Sequence, residues 1–167
     1  MYTSIAEFIE EWNQEASPTQ MVLDVLTDQS LQQEVSPDDR TLGRIAWHVV
    51  ASTPAMLNEF GITVENVDNG ATVPTSAKAI ADTFRKVSAD TINAVQQQWT
   101  DASLKETKNV YGMDMQRGVT LALLIKHIIH HRGQMTVLMR QAGVNVPGIY
   151  GPSREEWSQM GMEAPAL

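Results

Sequence analysis

The residues able to do chemistry are few and closely grouped. The chain carries four histidines and no cysteine. Three histidines stand in LLIKHIIHHRGQMTVLMR as His127, His130 and His131, and the fourth, His48, stands in TLGRIAWHVV. Imidazole is both a general acid–base group and the commonest protein ligand for a divalent metal. An H-x-x-x-H pair on a helix sets two imidazoles one turn apart on one face, a spacing that suits a single ion. The lack of cysteine excludes disulfides, thiolate zinc sites, iron–sulfur clusters and a Cys nucleophile. Chemistry therefore falls to histidine, carboxylates, hydroxyls or a metal that they hold.

His127 has two candidate partners, and helix geometry chooses between them. At about 100° per residue from His127, the apolar Leu124, Ile128, Met135 and Leu138 form a stripe centred near 60°. His131 falls at about 40°, inside the stripe, and His130 at about −60°, on its flank. His127 and His131 thus point inward together, and His130 is expected to be exposed or supporting. Around His48 the same count puts Ile45, Val49 and Met56 at about 60° to 100°, so His48 also looks inward from the edge of its apolar face. Three inward imidazoles from two helices make a facial His₃ site with positions left open for water or substrate. The competing reading is a set of hydrogen-bonded core histidines. Burying three imidazoles without a metal would leave several polar groups to satisfy, which favours the metal. Gln134, at about −20°, is placed to orient a ligand, whereas Arg132, near 140°, is assigned to an ion pair or interface and Gly133 to close helix approach. Trp12, Trp47 and Tyr150 are read mainly as packing residues, and no carboxylate emerges as a general base.

Other catalytic patterns fail on spacing. There is no E-x-x-H for a di-iron carboxylate bundle, and Ile128 after His127 breaks the H-E-x-x-H of zincins. No Gly-rich phosphate loop or G-x-S-x-G elbow occurs. The nine methionines fall at core spacing and read as gap-fillers rather than soft metal ligands.

Long helices must position these groups. Ser4 and Glu7 have capping-box spacing and open a first helix reaching about Thr27, which Pro18 should bend or split. A turn-rich stretch leads to a second helix over about Thr41–Phe60, with a kink expected at Pro54. Residues 61–75 read as a long connection. A third helix runs from a cap near Ser76 to about Trp99, NVYGMDMQ reads as a short connection, and a fourth helix spans about Arg117–Ala142 and stops at Gly143. No stretch shows convincing strand alternation. The expected fold is therefore all-α, one four-helix bundle over residues 1–167 with a short C-terminal helix near Ser153–Met160. One long connection among shorter ones argues against simple up-down-up-down topology.

Composition narrows the partners. With 167 residues, a formal charge of -8 and a pI near 4.9, the chain suits one soluble domain and not a nucleic-acid binder. Its first 68 residues hold 2 basic against 12 acidic side chains, read as a solvated acidic face. No apolar run approaches the ~20 residues of a membrane span, and MYTSIAEFIEEW lacks the basic start of a signal peptide. A cytoplasmic location and no membrane partner are expected.

With Trp12 and Glu15 in the first helix, RTLGRIAWHVV in the second, HIIHHRGQMTVLMRQAG in the fourth and VPGIYGPSREEW beyond it, the chain resembles the DinB/YfiT-like superfamily of four-helix bundles over nearly its whole length. By motif match the resemblance implies His48, His127 and His131 as ligands of one divalent ion, in agreement with the helical angles. It further implies nickel or zinc as the usual occupant and homodimers as a common assembly; it does not imply DNA binding, and the acidic balance argues against it. Related members include thiol-dependent S-transferases and a mycothiol-dependent isomerase. The functional expectation is a metal-dependent transferase acting on a small molecule through an activated low-molecular-weight thiol, or a hydrolase acting through water. The alternative is a non-enzymatic, stress-related protein with a structural metal.

Overall fold

The structure is a computed structural model that describes residues 1–67 and 72–166, so the expected 61–75 connection lies partly outside the described residues. Four long helices dominate: α1 (Ile5–Asp24), α2 (Leu42–Phe60), α3 (Ala77–Gln98) and α4 (Arg117–Gln141). Local chemistry sets their ends. Ser4 Oγ accepts from the Glu7 amide at 3.1 Å while the Glu7 carboxylate accepts from the Ser4 amide at 3.2 Å, a reciprocal capping box. Thr41 and Ser76 cap α2 and α3 by a single bond, each side-chain oxygen accepting from the amide three residues on. At the end of α4, Gly143 takes φ 73°, and the amides of Gly143 and Val144 bond back to Arg140 and Met139. That is a Schellman closure, which glycine makes at no steric cost. Pro18 does not split α1, and α2 runs unbroken through Pro54.

The fold is not purely helical. Residues Thr107–Val110 (β1) and Met113–Gln116 (β2) form an antiparallel hairpin with Val110 opposite Met113. Tyr111 and Gly112, with φ 51° and 79°, make the two-residue turn, the positive-φ geometry that matches strand twist. This corrects both the all-α expectation and the reading of NVYGMDMQ as a plain connection. The hairpin lies on the surface with Val110 its one buried side chain; β1 (TKNV) has no alternation, and Met113 and Met115 alternate with polar residues over only the four positions of β2, too short a run to stand out. The C-terminal helix likewise contracts to a single 3-10 turn, Ser158–Met160, which Gly161 closes at φ 69°.

Each helix packs mainly on two others: α1 on α3 and α4, and α2 on α3 and α4. The sequential pairs α1–α2 and α3–α4 therefore sit diagonally in the bundle. The crossings are made by residues 25–41 and by the segment carrying the hairpin. Phe8 and Trp12 of α1, Phe60 of α2, Phe84 of α3 and Leu121 and Leu124 of α4 are fully buried between them. The consequence for function is that α2 and α4, far apart in sequence, lie side by side. Among the described residues no helix is long and apolar enough to cross a membrane.

Candidate metal centre

The α2–α4 contact brings His48 together with His127 and His131. Their ring centroids are 5.1 Å (His48–His127), 4.6 Å (His48–His131) and 4.5 Å (His127–His131) apart. One nitrogen from each ring lies within 4.8 Å of the other two. His48 Nε2 and His127 Nε2 approach to 3.2 Å. Two nitrogens that share one ion at about 2.0–2.1 Å sit about 3 Å apart, so the pair has the spacing of co-ligands. His130 is exposed on the flank of α4, its ring 4.9 Å from that of His131.

The surroundings hold these rings in the form a metal requires. Burial, then the neighbouring His131 and the guanidiniums of Arg40 and Arg44, pushes the His48 pKa down to about 4. Burial and the adjacent imidazoles push His127 down to about 4 as well. His131 is lowered by burial, with the Gln134 hydrogen bond acting against that shift. All three are thus neutral at physiological pH, with lone pairs available. Hydrogen bonding does little to satisfy them otherwise. His131 Nδ1 meets Gln134 Oε1 at 2.7 Å, but His127 Nδ1 is buried without a partner among the described residues. The donor set and its spacing fit a divalent ion.

Residues beside the cluster fix how α4 is presented. Arg132 is buried and aims away from the histidines at α1, as its helical angle requires. Its guanidinium donates to Glu15 Oε2 at 2.6 Å, to the Glu15 carbonyl at 2.8 Å and to Thr19 Oγ1 at 3.1 Å. Tyr150 OH joins at 2.6 Å from Arg132 and donates to Glu15 at 2.8 Å, tying the C-terminal tail onto α1 and α4. Arg132 is thus an interhelix ion pair. Tyr150 belongs to that network, while Trp12 and Trp47 are core residues. Gly133 does not serve close helix approach: it is exposed, and an added Cβ would meet nothing within 4 Å. Its helical angle, about −120° from His127, puts it on the far side of α4 from the core.

A cleft of about 550 Å³ opens beside His131. Val35, Asp39 and Arg40, from the segment before α2, face His131, Gln134 and Val137 of α4 across it. Sequence reasoning passed over Asp39 and Arg40 because they lie in a turn-rich stretch. One signal was available: Arg40 and Arg44 are the two basic residues of the first 68.

Comparison with known proteins places this site in context. The model of a family described as the DinB family matches residues 1–164. The chain is 47% identical to YrdA of Bacillus subtilis (strain 168) over 167 residues, covering 100% of both. It superposes with a TM-score of 0.86 on the crystal structure of a DinB-like protein from Bacillus cereus, at 49% identity over 90% of this chain and 100% of that one. A second DinB-like protein, YjoA of Bacillus subtilis, has a TM-score of 0.67 at 14% identity over 86% of this chain and 97% of that one, a likeness of fold.

Proposed function

The chain belongs to the DinB family, and from that premise we propose that His48, His127 and His131 hold one divalent ion, nickel or zinc, in a metal-dependent transferase. The reaction passes a low-molecular-weight thiol to a small electrophile, with hydrolysis through water as the variant chemistry. The observation that carries this reading is the convergence of three neutral imidazoles, one of which, His131, lines an open cleft. A purely structural ion needs no such access, and the cleft volume lies within the range of small-molecule sites.

When bound, a divalent ion supplies a Lewis-acid centre that eases ionisation of a coordinated thiol or water. The protein's own groups prepare that centre. Burial keeps His48, His127 and His131 unprotonated, and Gln134 holds the proton of His131 on Nδ1, away from the cluster. Val35 and Val137 give the cleft apolar lining for the body of a bound substrate.

The test is a panel of low-molecular-weight thiols with electrophilic acceptors, run on protein of measured metal content. Turnover that chelator abolishes and added nickel or zinc restores is the expected result. Tight metal uptake without turnover would favour a structural ion.

A further inference from the structure

We propose that Arg40 is the anchor for an anionic group, a carboxylate, on the small molecule that occupies the cleft beside His131. The inference rests on reading the three histidines as a metal centre and adds the charge of the substrate to that reading.

Four observations converge on it. Arg40 lines the same cleft as His131 and Gln134, so one small molecule can touch the guanidinium and His131 together. Arg40 is exposed, and no carboxylate lies within ion-pair distance of it among the described residues. The adjacent Asp39 also lines the cleft, but its carboxylate accepts from Ser36 Oγ at 2.7 Å and does not pair with Arg40. The third observation is one of scarcity. The first 68 residues hold 2 basic against 12 acidic side chains, yet one of those two is set at this cleft. The fourth is electrostatic cost. The charge of Arg40 stands on the cleft that His131 lines, where it opposes a second cation. A guanidinium beside a cation site is favourable once an anion lies between them.

The chemistry of the cleft defines the ligand class further. Ile45 and Leu138 join Val35 and Val137 as apolar lining, leaving Arg40 as its cationic group. The ligand is thus a small anion with a short apolar body, one end on the guanidinium and the other at the histidines. Arg suits the anionic end because its planar fork binds a carboxylate through two parallel N–H bonds.

Calorimetric titration of the zinc-loaded protein with two matched pairs of probes tests the proposal. One pair is 3-mercaptopropionate and 3-mercaptopropionamide; the other, lacking the thiol, is butyrate and butyramide. The wild type is expected to bind each carboxylate about tenfold more tightly than its amide, the scale of a charge-assisted hydrogen bond. Arg40→Gln should erase that preference without changing affinity for the amides, and Arg40→Lys should keep part of it. Equal affinities in the wild type, or a preference that survives Arg40→Gln because the carboxylate sits on the metal instead, would overturn it. So would the absence of binding by all four probes at millimolar concentration. Failure of the thiol reading looks different: thiols would then bind no better than their thiol-free partners, while the preference that depends on Arg40 would remain.

Discussion

Gln134 Oε1 lies 2.7 Å from His131 Nδ1, one helical turn along α4. An amide oxygen can only accept, so the imidazole proton resides on Nδ1 and Nε2 carries the lone pair. The H-R-G-Q sequence thereby divides its tasks by helical angle. His131 turns to the cluster and Gln134 fixes its tautomer. Arg132 reaches the opposite way to α1, and Gly133 faces outward.

Replacing Gln134 by Leu removes the acceptor and frees the His131 ring. Affinity for a divalent ion should fall about 10- to 100-fold, the usual cost of losing a ligand's supporting hydrogen bond. Competition with a chelator of known affinity measures this. Unchanged affinity would mean that packing alone orients the ring.

The ligand assignment is tested by metal content. His48→Ala, His127→Ala and His131→Ala should each purify with little bound metal, while His130→Ala should retain wild-type content. Elemental analysis of the four proteins decides it. Full occupancy in His127→Ala or His131→Ala would sink the assignment, and loss in His130→Ala alone would show that the other histidine pair binds.

Much of this arrangement was legible before any coordinates, for reasons that are local. The Ser4–Glu7 box, the Ser76 cap and the glycine stop at 143 are encoded within a few residues each, and all three appear. The inward placement of His131 followed from one helix's periodicity. What stayed hidden depends on neighbours distant in the chain. Arg132 was correctly turned away from the histidines, but α4 packs on α1 as well as α2, so that second side is also buried. The hairpin escaped because its strands are four residues each and mostly exposed, so the alternation of Met113 and Met115 in β2 is too brief to stand out. Arg40 acquires meaning only when its turn folds over the α2–α4 seam.

The buried Arg132–Glu15 pair should dominate the mutational cost of the tail and α1 contacts. Its side chains are 3% and 11% exposed, so Arg132→Met would strand the Glu15 carboxylate in the interior. A loss of about 3–5 kcal/mol is expected in urea denaturation. Tyr150→Phe, which leaves the ion pair intact, should cost about 1 kcal/mol. If the two variants cost the same, the ion pair is not the principal tie.

Acid should reveal the histidines even without a metal. A histidine is protonated near ~6.5 in the unfolded chain. In the folded protein His48 and His127 resist protonation down to about 4, chiefly because they are buried. Between those values the unfolded chain binds more protons, so stability falls as pH falls. Their contribution is therefore fully present above about pH 6.5 and is lost as pH drops through about 4. Paired carboxylates act lower on the scale: Glu155, held by Arg140, is depressed to about 2. The melting temperature of metal-free protein should thus be nearly flat above pH 7 and decline between pH 6.5 and 4.5, with a shallower decline in His48→Gln. Bound metal steepens the effect, because protons compete with the ion for the same nitrogens. Chelator should lower the melting temperature at pH 7.5 and change it little at pH 5, where the ion has already left. A metal-free protein whose melting temperature does not move between pH 7 and pH 5 would show that these imidazoles are protonated as readily folded as unfolded, contrary to their burial.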